Sequence, residues 1–367
     1  MKPKLFLSGG GTLGSVMPLL AVWEILQEKY DCFWIGSFRG MERELIKKKK
    51  IHYLAIPAGK IRKYFSVKNI GAPFFIIAGF LASIFYLLFY RPKAVVVSGS
   101  FISVPLVWAA WILGVRRVVH QEDIKIGLAG RLAMPFASVI TTAFKETAEA
   151  IKRKNVFWIG NPVRRIFKNP DTEKWQGDLP LVLVLGGGLG SEKINQAVTK
   201  IAPELGESAR LLHLTGKNKT IGLPASPTAE KPFGFVAPKN SAGRPTSYNY
   251  KQVEFLGDDL AGAMVAADII VSRAGLSTIS ELAFLGKPAV LIPLSGVGQM
   301  ENAEYLAKKG AAVIVEEKRL DDLKNKLTGL FHNSDARRRL GANISKIFPP
   351  DAAEQLAGIV ASTNLIN

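Results

Sequence analysis

The sequence predicts an α/β protein made of two Rossmann-like domains, each with a parallel sheet covered by helices. Three observations support this prediction. A chain of 367 residues is long enough for two domains of ordinary size. Short β-branched runs alternate with longer amphipathic segments, as in parallel sheets. A strand followed by a triple glycine and a helix occurs twice, with Gly9–Gly11 and Gly186–Gly188 lying 177 positions apart.

The first domain is predicted to span residues 1–165. After the strand that opens the chain, six more strands are expected, at Cys32–Ser37, Tyr53–Pro57, Ala94–Ser98, Val118–His120, Ser138–Thr142 and Val156–Ile159. The pattern pauses at Gly160–Pro162, and residues 168–180 are polar and contain prolines. We therefore expect a linker over residues 166–180.

The second domain is predicted to span residues 181–348. Its opening strand is followed by strands at Leu211–Leu214, Ile269–Ser272, Ala289–Pro293 and Ala312–Val315. Between Gly222 and Tyr248 five prolines interrupt any regular pattern, which indicates a surface loop.

The basic charge is concentrated in the first half of the chain. The net charge is +18, and residues 1–160 carry 23 Lys and Arg against 9 Asp and Glu, a net of +14. This excess indicates an anionic partner, which is a membrane surface, a nucleic acid or a phosphorylated substrate. The single cysteine, Cys32, excludes a disulfide framework, and four scattered histidines exclude a Cys/His zinc module. We therefore expect a reducing compartment, in agreement with an N-terminus that shows no signal-peptide pattern.

An uncharged apolar run of 21 residues covers Ile70–Tyr90. Its length would suit a transmembrane helix. However, the strands on either side are predicted to share one sheet, which argues against a full span. The alternatives are a helix lying in the membrane surface and a buried crossover helix. Basic residues flank the run and favour contact of residues 60–93 with anionic lipid: Lys60, Arg62, Lys63 and Lys68 precede it, and Arg91 and Lys93 follow it. Nucleic acid is not an expected partner, because these basic residues do not alternate with exposed aromatic residues.

The first glycine turn has the spacing G-x-G-x-x-G, formed by Gly9, Gly11 and Gly14. Such a turn before a helix favours binding of a diphosphate. The next strand ends in WIGSFRG, with no acidic residue to hold a ribose, although Arg39 leaves NADP as an alternative. The glycines could also serve only tight strand–helix packing. A second turn, Gly186–Gly190, favours an enzyme with two diphosphate-bearing substrates, one for each domain.

Residues 267–312 give the strongest signal for a site. A predicted strand is followed by the loop Arg273–Gly275 and a helix that begins with Ser277, Thr278 and Glu281. Hydroxyl groups at a helix start can cap free amides, and a carboxylate can accept two hydrogen bonds from a ribose diol. Helix capping alone is the alternative explanation.

This segment resembles the donor-nucleotide signature of glycosyltransferase family 28, and the likeness continues in order along the chain. Residues 10–18 resemble the family loop GGTGGHxxP, residues 97–101 its glycine-rich turn after the fourth strand, and residues 186–190 its GGSQG turn. His120–Asp123 stands where HEQN is usual, Gly160–Arg164 matches GNPVR, and Gln299 and Asn302 match HQxxNA.

The resemblance implies a GT-B fold, in which two parallel-sheet domains face each other across a cleft, with the acceptor domain first and the UDP-GlcNAc domain second. It implies an undecaprenyl-diphosphate-linked N-acetylmuramyl-pentapeptide as acceptor, on the cytoplasmic face of a bacterial cell membrane. It also implies that residues 349–367 form a helix that packs back on the first domain.

The resemblance further assigns binding residues. The implied donor-binding residues are Thr12, Leu13, Gly14, Arg164, Gly188, Gly190, Gly257, Arg273, Leu276, Ser277, Thr278, Ile279, Ser280, Glu281, Gln299 and Asn302. The implied acceptor-diphosphate residues are Gly10, Gly11, Thr12, Gly14, Ser15, Gly99 and Ser100. No metal or other cofactor is expected, since the chain contains no Asp-x-Asp motif.

The chain departs from the family pattern near both substrates. Ser15 replaces a histidine, Gly188 and Leu189 replace a serine and a glutamine, and Asp123 replaces an asparagine. A serine with an ordinary pKa cannot act as a general base at neutral pH. The candidate bases are therefore Glu122 and Asp123, with proton transfer through substrate or water as the alternative.

The predicted reaction is an inverting, single displacement by an acceptor hydroxyl at the anomeric carbon of UDP-GlcNAc. Three alternatives remain open at this point. They are a lipid glycosyltransferase with another acceptor such as diacylglycerol, an NADP oxidoreductase, and a UDP-sugar-binding membrane scaffold without catalytic activity.

Overall fold

The computed structural model describes residues 2–57, 72–221 and 249–362. The chain divides into two units, one formed by Met1–Arg165 with Phe348–Asn367 and the other by Ile166–Ile347. Each unit contains one parallel sheet with helices, so the predicted class of two Rossmann-like α/β domains is confirmed. The segment 166–180, expected as a linker, lies at the start of the second unit, where the side chains of Phe167 and Trp175 are buried.

Within its described residues, the first unit has a sheet of seven strands: β1 (Lys4–Ser8), β2 (Asp31–Ser37), β3 (His52–Ile56), β4 (Ala94–Ser98), β5 (Arg116–Gln121), β6 (Val139–Thr142) and β7 (Val156–Trp158). They are parallel, in the order β3-β2-β1-β4-β5-β6-β7. The central strands β1 and β4 read KLFLS and AVVVS and are buried almost throughout. Continuous apolar runs of this kind are expected where helices cover both faces of a sheet.

The helices of this unit before residue 165 are α1 (Met17–Leu26), α2 (Glu42–Lys48), α3 (Ala72–Tyr90), α4 (Ser103–Ile112), α5 (Leu128–Ala133) and α6 (Lys145–Ala150). Strands β2 and β3 lie on one side of β1, and β4 to β7 lie on the other. Ligands of open α/β sheets bind at the carboxyl ends of the strands beside such a reversal of strand order. The loops after β1 and β4 are therefore the expected position of a site.

Helix α3 presents most of its apolar surface to the outside. Residues Pro73–Tyr90 are long and apolar enough to cross a membrane, and few of them are buried. Leu87 and Ser83 face the unit, where the helix contacts α4 and β3. The large exposed apolar side chains of this helix are Phe74, Phe75, Ile77, Leu81, Phe85, Leu88 and Phe89. The basic residues expected to precede the helix, Lys60, Arg62, Lys63 and Lys68, lie outside the described residues together with Ile70.

In the second unit, the part of the chain that the structure describes forms a sheet of six strands: β8 (Leu181–Leu185), β9 (Arg210–Leu214), β10 (Asn249–Val253), β11 (Ile269–Ser272), β12 (Ala289–Leu291) and β13 (Val313–Ile314). They are parallel, in the order β10-β9-β8-β11-β12-β13. The helices of this unit are α7 (Glu192–Leu205), α8 (Leu260–Ala266), α9 (Leu276–Leu285), α10 (Gln299–Lys308), α11 (Asp322–Phe331) and α12 (Ser334–Ile344). The predicted proline-rich loop between Gly222 and Tyr248 lies outside the described residues.

The last helix, α13 (Ala352–Ala361), belongs to the first unit and packs against α1. Leu356 and Val360 share one apolar core with Leu19 of α1. At the start of β5, the Arg116 guanidinium donates a hydrogen bond to the main-chain carbonyl of Ile359 at 2.7 Å. Because the last carbonyls of a helix have no partner within the helix, Arg116 satisfies groups that would otherwise need water.

Candidate active site

The first glycine loop connects β1 to α1. The Ser15 hydroxyl accepts a hydrogen bond from the Gly10 amide at 3.1 Å and lies 3.2 Å from the Gly10 carbonyl oxygen. Gly11 has a φ of +80°, a conformation that residues with a side chain rarely adopt. A methyl group on Gly9 would lie 2.2 Å from the main-chain oxygen of Ser15. The loop is therefore a tight turn held closed by Ser15, with Thr12 exposed and Leu13 and Gly14 half-buried at its tip.

Glu122 immediately follows β5 and lies, like Ser15 of this loop, close to Gly99. Its carboxylate accepts a hydrogen bond from the Ser98 hydroxyl at the end of β4. Gly99 has a φ of +40°, and a methyl group there would lie 3.1 Å from Glu122 Oε1 and 3.9 Å from Ser15 Cβ. The main chain at Gly99 therefore approaches both Glu122 and Ser15. Ser100 is buried, and its hydroxyl accepts a hydrogen bond from the Ile102 amide at 3.2 Å.

Burial shifts the pKa of Glu122 to a range suited to proton transfer. Desolvation raises the pKa of the Glu122 carboxyl from 4.5 to about 8, against the opposing effect of the Ser98 hydrogen bond. The neighbouring Asp123 charge adds to the increase in this pKa. Asp123 itself is half-buried, and its main-chain oxygen accepts a hydrogen bond from the Gln121 side chain. A carboxyl with a pKa near neutrality can accept or donate a proton under cellular conditions.

His120 is fully buried and enclosed by hydrogen-bond partners. Its Nδ1 lies 3.0 Å from the Thr141 hydroxyl, and its Nε2 lies 2.9 Å from Asn161 Oδ1. Burial lowers the pKa of His120 to about 4, so the imidazole is neutral at physiological pH. This geometry gives His120 a structural role rather than contact with a substrate.

The second glycine loop connects β8 to α7. A methyl group on Gly190 would lie 1.9 Å from the Thr215 carbonyl oxygen, so only glycine permits this close approach of two main chains. The Ser191 hydroxyl then caps α7 by accepting a hydrogen bond from the Ile194 amide at 3.4 Å. Gly188 and Leu189 are exposed at the tip of the loop. The amino-terminal end of α7 and its glycine loop are a favourable position for a diphosphate.

Arg273 connects several loops at the carboxyl edge of the second sheet. Its guanidinium donates hydrogen bonds to the Ser191 hydroxyl at 2.7 Å and to the Ile292 carbonyl at 3.1 Å, and it forms an ion pair with Glu317. Lys193 donates to the other oxygen of Glu317 at 2.9 Å. The Lys193 and Arg273 hydrogen bonds lower the pKa of Glu317. Arg273 thus holds the loops after β8, β11, β12 and β13 together.

Helix α9 has half-buried polar residues in its first turn and buried residues after them. Ser277 and Thr278 in its first turn are half-buried, whereas Ile279 is completely buried in the unit. The Ser280 hydroxyl donates to the Leu276 carbonyl at 2.7 Å, within the helix. Glu281 follows one turn later and is 8% exposed. Ser277 and Thr278, next to Gly275, are therefore more accessible to a ligand than Glu281.

Helix α10 begins close to the start of α9. The Gln299 side-chain amide lies near Gly275, where a methyl group would be 3.9 Å from Gln299 Nε2, and Gln299 Oε1 accepts the Leu294 amide at 3.0 Å. Asn302 is completely buried one turn later. Gly257 has a φ of +59° and follows β10 at the same edge of the sheet.

The structure therefore groups the predicted donor-binding residues from Gly188 to Asn302 at the carboxyl edge of one sheet. The remaining ones belong to the first unit, with Thr12, Leu13 and Gly14 in the glycine loop and Arg164 after β7.

Sequence reasoning did not identify Glu42, a buried carboxylate whose Oε2 accepts the Gly11 amide at 3.3 Å. The motif WIGSFRG at the end of β2 contains no acidic residue and ends two residues before Glu42. Since the carboxylate also accepts hydrogen bonds from Ser37, it is enclosed by the protein and cannot hold a ribose in the manner of a dinucleotide site.

Two family models and the similar proteins indicate one family. The chain matches the glycosyltransferase family 28 N-terminal domain over residues 5–142 and the glycosyltransferase family 28 C-terminal domain over residues 181–356. Similar proteins carry the name UDP-N-acetylglucosamine--N-acetylmuramyl-(pentapeptide) pyrophosphoryl-undecaprenol N-acetylglucosamine transferase. The one from Geobacillus kaustophilus is 34% identical over 99% of both chains, and the one from Clostridium kluyveri is 35% identical over 86% of both.

Solved structures share the fold. The crystal structure of Acinetobacter baumannii MurG superposes with a TM-score of 0.73 at 24% identity, covering 98% of this chain and 99% of the other. The glycosyltransferase of kitacinnamycin gives a TM-score of 0.72 at 13% identity, covering 98% of both chains. A complex of S. aureus MnaA with UDP gives 0.66 at 13% identity, covering 97% of this chain and 95% of the other.

Proposed function

Because this chain belongs to glycosyltransferase family 28, we propose that it transfers N-acetylglucosamine from UDP-GlcNAc to an undecaprenyl-diphosphate-linked N-acetylmuramyl-pentapeptide. The observation that carries this proposal is the end-to-end likeness to the Geobacillus kaustophilus transferase, whose name specifies this sugar and this acceptor. The product is the lipid-linked disaccharide used in peptidoglycan synthesis.

The donor belongs to the carboxyl edge of the second sheet. The uridine diphosphate lies against the Gly188 and Gly190 loop and the first turn of α9, where Ser277 and Thr278 are accessible. Glu281 holds the ribose hydroxyls, and Gln299 contacts the sugar. Arg273 shapes this edge through its contacts with Ser191 and Glu317. The amino-terminal ends of α7 and α9 both favour the negative charge of a diphosphate.

The acceptor belongs to the first unit, with its diphosphate at the glycine loop and its reacting hydroxyl near Glu122. Support for Glu122 as the base is geometric, since it contacts Ser98 at the end of β4 and lies close to Gly99, which also approaches Ser15 of the glycine loop. Asp123 is the second candidate, because it directly follows Glu122 and is partly accessible.

The reaction is one displacement. The acceptor hydroxyl gives its proton to the Glu122 carboxylate as its oxygen bonds to the anomeric carbon of GlcNAc. On the opposite face, the bond between that carbon and the β-phosphate oxygen breaks, so the configuration inverts and UDP leaves with the bonding electrons. Helix amino-terminal amides stabilise the negative charge that develops on the leaving group.

A transfer assay tests this function. Purified protein is incubated with UDP-GlcNAc and a lipid I analogue, with diacylglycerol, or without acceptor, and both UDP release and the glycolipid product are measured. We expect UDP release and product only with the lipid I analogue, and loss of both in Glu281→Gln. Transfer to diacylglycerol instead, or UDP-GlcNAc binding without transfer to either lipid, would contradict the proposal.

The enzyme acts as a peripheral protein on the cytoplasmic face of the membrane, with α3 as its docking surface. The exposed apolar side chains of α3 are accompanied by Trp111 and Ile112 at the end of α4, a helix that α3 contacts. Arg91 and Lys93 follow α3 directly. An apolar face beside basic residues suits an anionic lipid surface, because apolar burial and electrostatic attraction add.

Sedimentation with vesicles tests the docking surface. The wild type is expected to bind vesicles containing phosphatidylglycerol more strongly than vesicles of phosphatidylcholine alone. The double variant Leu81→Glu with Phe85→Glu should reduce binding about tenfold or more, because charges enter the apolar face. The control Phe255→Glu changes an exposed aromatic residue of the second unit. Equal binding of the double variant and the wild type would exclude α3 as the docking surface.

A further inference from the structure

The carboxylate of Glu42 joins the first glycine loop to the end of β2. Glu42 is the first residue of α2 and is 1% exposed. Its Oε2 accepts the Gly11 amide at 3.3 Å, while its Oε1 accepts the Ser37 amide at 3.0 Å and the Ser37 hydroxyl at 2.8 Å. The Tyr53 hydroxyl lies 3.4 Å from Oε1 but donates to the Ser37 carbonyl at 2.6 Å. Both oxygens of Glu42 therefore have protein donors.

Two glycines provide the space for this carboxylate. A methyl group on Gly10 would lie 2.7 Å from Glu42 Oε1, and one on Gly40 would lie 2.0 Å from both carboxylate oxygens. Contacts this short are not tolerated, so a side chain at either position would displace the Glu42 carboxylate. Gly40 lies in the turn between β2 and α2, outside the glycine loop that connects β1 to α1.

The hydrogen bonds within the loop separate its amides into two groups. The Gly10 amide donates to Ser15 and the Gly11 amide donates to Glu42, so both are used inside the protein. Among the described residues, no protein group accepts a hydrogen bond from the amide of Thr12 or Leu13, which lie at the accessible tip of the loop. Main-chain amides at a glycine turn before a helix are typical donors to a diphosphate.

We propose that Glu42 is a positioning residue for the acceptor: by holding the Gly11 peptide group it directs the Thr12 and Leu13 amides toward the acceptor diphosphate. The inference rests on the proposed function, because it takes the first unit as the acceptor unit. Glu42 does not touch the substrate in this arrangement. It determines which half of the loop binds the diphosphate.

The isosteric variant Glu42→Gln is the direct test. A glutamine places an NH2 group against either the Gly11 amide or the Ser37 amide, so one hydrogen bond is lost and two donors face each other. We expect the KM for the lipid I analogue to rise about tenfold, as for loss of one charge-assisted hydrogen bond. The KM for UDP-GlcNAc should rise clearly less than the acceptor KM, because most of the predicted donor-binding residues lie in the other unit. The matched control is Glu44→Gln, which changes an exposed glutamate of the same helix.

Gly40→Ala is the second variant, in case Glu42→Gln folds poorly. It leaves the carboxylate and the glycine loop chemically intact but pushes the carboxylate out of its position, so the same selective rise in acceptor KM is expected. Equilibrium binding of farnesyl diphosphate, which carries an isoprenoid diphosphate but no sugar, gives a readout without turnover and should weaken in both variants.

The outcomes separate this inference from the proposed function. If the wild type transfers sugar to the lipid I analogue but both variants keep the acceptor KM of the wild type, Glu42 has no positioning role. A lower kcat with both KM values unchanged would also overturn the inference, because it would indicate a purely structural effect. A wild type that binds farnesyl diphosphate but transfers nothing would contradict the proposed function, and the binding of the variants would still test Glu42.

Discussion

The Gly10 amide donates a hydrogen bond to the Ser15 hydroxyl at 3.1 Å, which closes the first glycine loop on itself. Ser15 stands where family 28 usually has a histidine, and it is almost completely buried. Because Ser15→Ala leaves the Gly10 amide without this acceptor, we expect a loss of about 1–2 kcal/mol in the free energy of unfolding. Turnover at saturating substrates should fall less than about tenfold, since the Ser15 hydroxyl is not the base.

Circular dichroism melting and the transfer assay check this prediction together. The midpoint of unfolding should drop by about 2–4 °C. Ser208→Ala, which changes an exposed serine of the second unit, is the matched control and should melt like the wild type. A thousandfold loss of turnover in Ser15→Ala with an unchanged melting midpoint would show that Ser15 takes part in the chemistry.

The second prediction concerns Glu122 as the base. Glu122→Gln should reduce kcat at least about 100-fold, because an amide cannot accept the proton. Since burial raises the pKa of Glu122 to about 8 and the base must be deprotonated, wild-type kcat/KM should rise with pH and level off above about pH 8. Asp123→Asn separates the two candidates, because it should retain most of the activity. Unchanged turnover in Glu122→Gln, or a pH profile without this ionisation, would exclude Glu122.

The strands that the sequence predicts most clearly are those buried on both faces. The runs KLFLS, AVVVS and LVLVL become central strands, because helices cover both sides of them and every position can be apolar. Strand β10 is missed for the opposite reason. It reads NYKQV at the edge of the second sheet, where Tyr250 alone is buried.

Some features of the candidate site can also be predicted from the sequence, and others cannot. The glycine loops can be predicted because glycine is required wherever two main chains approach closely. Gly190, for example, lies against the Thr215 carbonyl, which leaves no space for a side chain. The roles of Glu42 and Arg273 cannot be predicted in this way, since each depends on a partner distant in sequence. Glu42 reaches a loop 31 residues earlier in the chain, and Arg273 pairs with Glu317, 44 residues later. Spacing within a motif does not contain this information.

The third prediction concerns acid sensitivity and depends on His120 and His213, both completely buried. His213 Nε2 lies 3.0 Å from Asn195 Oδ1, and its Nδ1 lies 2.8 Å from the Tyr250 hydroxyl. Because Asn195 Nδ2 donates to the Thr215 carbonyl at 3.0 Å, Asn195 Oδ1 is the acceptor, so His213 carries its proton on Nε2. The Tyr250 hydroxyl then donates to Nδ1, which holds the imidazole in its neutral form.

Burial lowers the pKa of both histidines from 6.5 to about 4 in the folded protein. Below pH 6.5 the unfolded chain therefore binds more protons at these two histidines than the folded chain, and their contribution to stability falls as the pH decreases toward 4. Glu122 acts in the opposite direction between about pH 8 and 4.5, because its raised pKa keeps it protonated in the folded chain. Each histidine contributes a slope of up to about 1.4 kcal/mol per pH unit. Urea unfolding at several pH values between 7 and 4.5 should show this slope of the free energy of unfolding against pH. In His213→Gln the slope should be smaller by the contribution of one histidine. His332→Gln, which replaces an exposed histidine, is the control. A slope that is the same in His213→Gln and the wild type would show that protonation of His213 does not oppose folding.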